Sequence, residues 1–201
     1  MRKLVTTTFV TLDGIMQAPG GPEEDDSLGF KSGGWSANYW DEMMGQVMGE
    51  IMAKNPDLLL GRVTYQIFAG YWPFHPDEPG ADKLNGAKKY VVSRTLNKVD
   101  WANSTLIKGD VAQEIARLKA GDGPEIQVHG SGNLIQTLLK HNLIDAMHLW
   151  IFPVSIGNGK RFFGEGTFPS GFKLLASKTS TTGVIIATYA RSGELKTGTI
   201  A

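Results

Sequence analysis

Hydrophobic positions recur along the chain with two periods. Residues 3–12 (KLVTTTFVTL) are rich in β-branched side chains and close on Asp13-Gly14, a turn dipeptide, so they predict a strand. Tyr39, Trp40, Met43, Val47, Met48 and Ile51 fall at helical spacing and predict an amphipathic helix over 38–54, ended by Pro56-Asp57. Short apolar runs at 57–61, 89–93, 104–107, 125–130 and 145–152 predict buried strands. Between them lie helical segments: a turn or two over 64–71, a helix opened by Asp110 with Gln113 three residues on and stopped by Gly121, and a helix over 133–141. Residues 172–180 and 184–191 flank a Thr-Thr-Gly turn and predict a hairpin.

The tally is about eight strands and four helices, with β and α segments alternating up to Phe152. Such alternation predicts an α/β fold, a mostly parallel central sheet with the terminal hairpin adding antiparallel edge strands. One domain over 1–191 and a tail over 192–201 are expected. Residues 17–36 (QAPGGPEEDDSLGFKSGGWS) have no periodicity, and a loop of that length is either functional or disordered.

Composition narrows the chemistry. Of 201 residues none is cysteine, which removes thiol nucleophiles, zinc-thiolate sites and disulfides. Lys+Arg 20 balance Asp+Glu 20, so no chain-wide attraction to nucleic acid or anionic lipid is expected, and any bound polyanion needs a local site. The opening MRKLVTTTFV is too polar for a secretory leader and no apolar run approaches membrane length, so the expected compartment is the cytoplasm. The 25 glycines are clustered rather than dispersed, which points to turns and close backbone approaches.

Three strand ends carry groups suited to phosphate, at the sheet edge where α/β proteins bind ligands. In LLLGRVTY, Gly61 admits a close approach, Arg62 supplies charge and Thr64 a hydroxyl at a position resembling a helix cap; an ordinary glycine turn explains the same residues equally well. In KYVVSRTL, Ser93, Arg94 and Thr95 arrive together. In EIQVHGSGNLIQTLL, a strand ends in Gly130-Ser131-Gly132 and a helix follows at once, the geometry that wraps a pyrophosphate. It is neither the G-x-G-x-x-G fingerprint, because Ile135 occupies the last glycine position, nor a Walker loop.

Taken in order, LDG, LLLGRVTYQIF, KYVVSRTL, VHGSGNLIQTLL and LIDAMHLWIFPVSIGNGKRFF resemble the dihydrofolate reductase-like superfamily. The closer resemblance is to the branch containing the reductase domain of the bifunctional riboflavin-biosynthesis deaminase-reductase and its stand-alone relatives. The resemblance implies NADPH as cofactor and reduction of a small heterocyclic or sugar-like substrate, as in the pathway's reduction of a phosphoribosylamino-pyrimidine; dihydrofolate reduction, or NADPH binding without turnover, are its alternatives. It implies that Gly61, Arg62 and Thr64 contact the adenosine-phosphate side, that Ser93, Arg94 and Thr95 flank the 2′-phosphate, and that Gly130, Ser131, Gly132, Asn133 and Leu134 lie against the pyrophosphate and nicotinamide half. It places Asp13, Gly14 and Ile15 near the reacting face, treats 153–163 as a structural turn, and suggests a homodimer.

Asp13, Asp41 and Glu42 are the acidic candidates for assisting protonation, although Asp-Gly is also a plain turn and acids are favoured at a helix start in any case. Trp35, Tyr39 and Trp40 suit a flat heterocycle or a core seal. His129 faces either the cofactor or the core; His75, His141 and His148 lack metal-ligand spacing, so no metal is expected. Lys160 and Arg161 suit a substrate phosphate or a surface turn.

Overall fold

The computed structural model describes residues 1–200. Threonine and valine dominate β1 (Leu4–Thr11), and every residue in it but half-buried Phe9 is buried, because it runs through the middle of the sheet between two parallel neighbours. The other strands are β2 (Asp57–Gly61), β3 (Lys89–Val92), β4 (Ser104–Ile107), β5 (Ile126–His129), β6 (Ala146–Phe152), β7 (Ser170–Thr179) and β8 (Ile185–Glu194). Their order is β4-β3-β2-β5-β1-β6-β8-β7, parallel as far as β6, with β8 antiparallel to both β6 and β7. The expected hairpin is therefore present at one edge. The chain winds one way from β1 to β4, returns to insert β5 between β2 and β1, and crosses to β6, leaving a crevice at the carboxyl edge.

Among the described residues five α-helices accompany the sheet: α1 (Glu42–Met52), α2 (Arg62–Tyr71), α3 (Ala81–Gly86), α4 (Val111–Ala120) and α5 (Gly132–Lys140). The first helix starts at Glu42 rather than near residue 38, because Asp41 caps it by accepting from Met44 N at 2.9 Å; Ala37–Tyr39 form a separate 3₁₀ turn. The additional helix α3 follows Pro79 and has only Ala81 and Leu84 buried, too few positions for a visible period.

Ile115, Leu134, Ile135 and Leu138 of α4 and α5 pack on one face of the sheet with Leu4, Leu59 and Val128. On the other face α1 lays Met44, Val47 and Ile51 on Trp150 and Phe152, while α2 and α3 cover Leu58, Leu60, Val91 and Trp101. Trp35 and Tyr39 meet Phe152 edge-on, and Trp40 lies parallel to Trp150 at 5.9 Å, so these aromatics seal the core beneath the crevice. Buried charges brace the opposite edge: Arg2 pairs with Asp57 at 2.5 Å, and Lys119 with Asp145 at 2.7 Å. Fully buried Lys89 donates to the carbonyls of Asn85, Ala87 and Ala102 over the Trp101 ring.

Candidate active site

The carboxyl ends of β3, β2, β5 and β1 lie side by side, and each delivers one of the predicted segments. Gly61 ends β2 and caps α2, so the helix begins at Arg62 and Thr64 is its third residue rather than a cap. Two strands of separation in sequence vanish here. Ser131 Oγ accepts from Gly61 N at 2.7 Å and donates to Thr64 Oγ1 at 2.9 Å, tying the β2–α2 turn to the β5–α5 turn. Gly130 and Ser131 both adopt left-handed backbone, with φ 54° and 67°, a strained conformation for serine that costs about 1–2 kcal/mol. A Cβ at Gly61 would lie 3.1 Å from Ser131 Cβ and Oγ, and one at Gly130 3.1 Å from Thr64 Oγ1, so both glycines are required by the closeness of the two turns.

The consequence is electrostatic. Asp41 and Asp110 cap α1 and α4 with their carboxylates, whereas among the described residues no side chain caps α2 or α5. Two uncapped helix starts, on adjacent parallel strands, aim their leading amides into one crevice, and each carries partial positive charge. Arg62 at the α2 start is exposed and donates to Gln66 Oε1 at 2.9 Å. After β3, buried Ser93 accepts from the amides of Thr95 and Leu96, shaping the turn that presents exposed Arg94 and Thr95. Asn133 is exposed, and Leu134 is buried behind it. Gly132 faces Met16 and Lys160 at ordinary contact distance, so the segment after β1 forms the opposite wall.

That wall is built, not loose. Gln17, 2% exposed, donates to the carbonyls of Asp25 and Ser27 and accepts from Lys160 N, while Trp35 Nε1 donates to Gln17 O. Gly33 rests against the carbonyls of Gly21 and Pro22, where a Cβ would approach to 2.6 Å. Lys160 Nζ is bound by Asp25 at 2.6 Å and by Ser27, and Arg161 reaches the carbonyls of Asp13 and Gly157; both cations therefore tie loops together.

The acidic candidates have structural partners. Asp13 accepts from Thr11 Oγ1 and from the amides of Gly157 and Ile156, pinning the 153–163 turn to the end of β1; these donors, the Thr11 hydroxyl foremost, hold its carboxyl below the ordinary range despite some desolvation. Asp41 adds to its helix cap two bonds from Thr181 of the β7–β8 turn, and the Met44 amide and Thr181 hydroxyl hold it low as well. Glu42 is exposed and accepts from Gln46 Nε2 at 3.3 Å. Ser131 thus ties the β2–α2 and β5–α5 segments directly together, and Ser93–Thr95 follow the neighbouring strand β3. Gln17 and the pairing of Lys160 with Asp25 escaped sequence reasoning, since hydrogen bonds to irregular backbone leave no period.

A mostly parallel α/β sheet with glycine turns and uncapped helix starts at its carboxyl edge has its ligand-binding crevice at that edge, as open α/β sheets do. The chain belongs to the RibD C-terminal domain family, whose model matches residues 2–186, and is a reductase of that family. The "Uncharacterized protein YyaP" of Bacillus subtilis (strain 168) is 27% identical over 201 residues, 96% of each chain. A solved protein from Shewanella sp. PV-4, provisionally assigned to riboflavin biosynthesis, superposes with a TM-score of 0.67 at 26% identity, over 94% of this chain and 99% of that one. Dihydrofolate reductase from Enterococcus faecalis, solved with NADP(H), shares the fold with a TM-score of 0.58 at 14% identity, over 94% and 96% of the two chains. Among the described residues no helix is long and apolar enough to cross a membrane.

Proposed function

We propose that the protein is an NADPH-dependent reductase of a small heterocyclic or sugar-like substrate, similar to the riboflavin-pathway enzyme that reduces the ribosyl group of a phosphoribosylamino-pyrimidine. The observation that carries this reading is the pair of uncapped helix starts, α2 and α5, locked side by side by Ser131. A dinucleotide fits such a wall: the turn Gly130-Ser131-Gly132 with Asn133 and Leu134 would hold the pyrophosphate, and Gly61, Arg62 and Thr64 the adenosine side. Ser93, Arg94 and Thr95 would add a second cation for a 2′-phosphate. When bound, the cofactor supplies hydride. The chain's part is to align the reacting rings and exclude water, with Ile15, Met16 and Gln17 buried in the opposing wall.

The same reading takes the protein as a cytoplasmic homodimer that binds neither nucleic acid nor membrane. Its net charge of zero supports the last two points. Supporting the dimer, the edge strand β7 shows Leu174 and Leu175 about half exposed, and native proteins seldom leave a long apolar edge uncovered. Quenching of tryptophan fluorescence by micromolar NADPH tests the cofactor; no quenching would remove it.

A further inference from the structure

Across the face of the sheet beneath α1 and α2 runs a row of polar side chains. Thr7 of β1 is in register with His129 of β5 on one side and His148 of β6 on the other, and Thr188 of β8 extends the row. The face is set by contacts: Phe9, two residues beyond Thr7, packs on Trp150 and Phe152, and the Phe68 ring of α2 lies 6.2 Å from that of His129. The row also adjoins the glycine turn, because His129 is the residue before Gly130.

The hydrogen bonds in the row assign protons. Gln127 donates through Nε2 to Glu125 at 3.1 Å, so its Oε1 faces His129 Nε2 at 3.2 Å and must accept from it. That leaves Nδ1 of His129 as a lone pair. His148 Nδ1 meets Thr188 Oγ1 at 2.9 Å, and a hydroxyl accepts from a protonated Nδ1 or donates to a bare one, so the contact holds the ring in either state. His148 Nε2 makes no protein hydrogen bond among the described residues, and Thr7 Oγ1, on a residue 4% exposed, has no partner at all. Both imidazoles are half-buried.

Reduction of a C=N or C=O bond requires hydride at carbon, which a dihydronicotinamide supplies in becoming nicotinamide, and one proton at the heteroatom. A carboxylate saturated with donors is a poor source of that proton, and Asp13 and Asp41 are both in that condition. We propose that His148 is the proton-exchanging residue of the site: its charged ring gives the Nε2 proton to the substrate heteroatom, is left neutral with its remaining proton on Nδ1 toward Thr188 Oγ1, and regains a proton from water, with Thr188 as its positioning residue and His129 Nδ1 as a hydrogen-bonding contact to the substrate. The proposal deepens the reductase reading and rests on it.

The charges around the row divide the labour between the rings. Burial, reinforced by His148, pushes His129 down to about 4 and keeps it neutral. His148 is lowered by burial, with Glu125, just before β5, raising it and Lys54, beyond α1, lowering it further; Phe68 from α2 and Thr188 from β8 bring no charge.

The test reads the rings. In ¹⁵N-labelled protein, long-range ring spectra follow both histidines from about pH 5 to 9, with His129→Gln and His148→Gln for assignment. Lumazine, a planar dione that is not consumed, serves as the probe at fixed pH, with and without NADP⁺. We expect His148 to change charge within the window with its neutral form protonated at Nδ1, His129 to stay neutral, and lumazine to shift the His148 ring. His148→Gln should weaken lumazine about tenfold or more, and NADP⁺ by less than about twofold. A His148 ring that never titrates, or that lumazine leaves unmoved with and without NADP⁺, overturns the proposal, and the wild-type spectra decide this even if the variants misfold. Failure of NADP⁺ alone to bind would count against the cofactor reading instead, since the cofactor-free lumazine arm still reports on His148.

Discussion

Ser131 Oγ stands 2.7 Å from the Gly61 amide, across 70 residues of sequence, and this one hydroxyl joins two glycine turns into a single wall. Removing it in Ser131→Ala leaves a half-buried amide without its acceptor, at a cost of about 1–3 kcal/mol. Ser131→Gly should be milder by about 1 kcal/mol, because glycine relieves the left-handed strain at φ 67° that alanine retains. Denaturant midpoints of the three proteins check the order, wild type above glycine above alanine.

Gly61→Ala tests the same contact from the other side. The new methyl would meet Ser131 Cβ, close to the main chain and unable to swing away, so the turns must part. NADPH affinity is expected to fall by about tenfold, roughly 1.4 kcal/mol, with β2 and the rest of the sheet intact. Unchanged binding by calorimetry would show that the spacing of the turns is irrelevant to the cofactor.

Lys89 gives a stability signature unconnected with the site. Burial lowers its ammonium from 10.5 to about 8, although three carbonyls and the Trp101 face favour the charged form. Between those two values the unfolded chain binds more protons than the folded one, so stability contributed by this residue rises with pH there. Relative to Lys89→Met, the wild type should therefore gain on the order of 2 kcal/mol from about pH 8 to 10.5. A difference that stays flat would mean that the carbonyls fully offset burial.

For Asp13 the sign is reversed. Its folded carboxyl is held below 3.8, so the stability it contributes is fully present above that value and is lost as pH falls through the folded one. Asp13→Asn should lower the melting temperature by several degrees at neutral pH, and the gap from wild type should close in acid. If Asp13 serves chiefly to pin the Gly157 turn, NADPH affinity in the variant stays within about threefold.

Much of this was legible from residue order. Eight strands declare themselves because β-branched runs and turn dipeptides are local signals, and Gly61, Arg94 and Gly130 stand out because each follows such a run. What needed three dimensions was register. That His129 and His148 flank Thr7 follows from β5 inserting beside β1, which no periodicity announces. The 17–36 loop was ambiguous for a different reason: its order comes from side chains such as Gln17, Trp35 and Lys160 bonding to irregular backbone and to Asp25. Helix α3 is too short for its two buried residues to show a period.

The central claim, a cofactor bearing a 2′-phosphate held where β3, β2 and β5 end, is tested most directly by titrating wild type, Arg62→Ala and Arg94→Ala with NADPH and with NADH in a calorimeter. Each arginine is predicted to contribute about 1.5–3 kcal/mol to a phosphate contact, so each variant should lose about tenfold or more in NADPH affinity while NADH affinity changes by less than about threefold. Equal losses for both dinucleotides, or no binding of either by the wild type, would contradict the account.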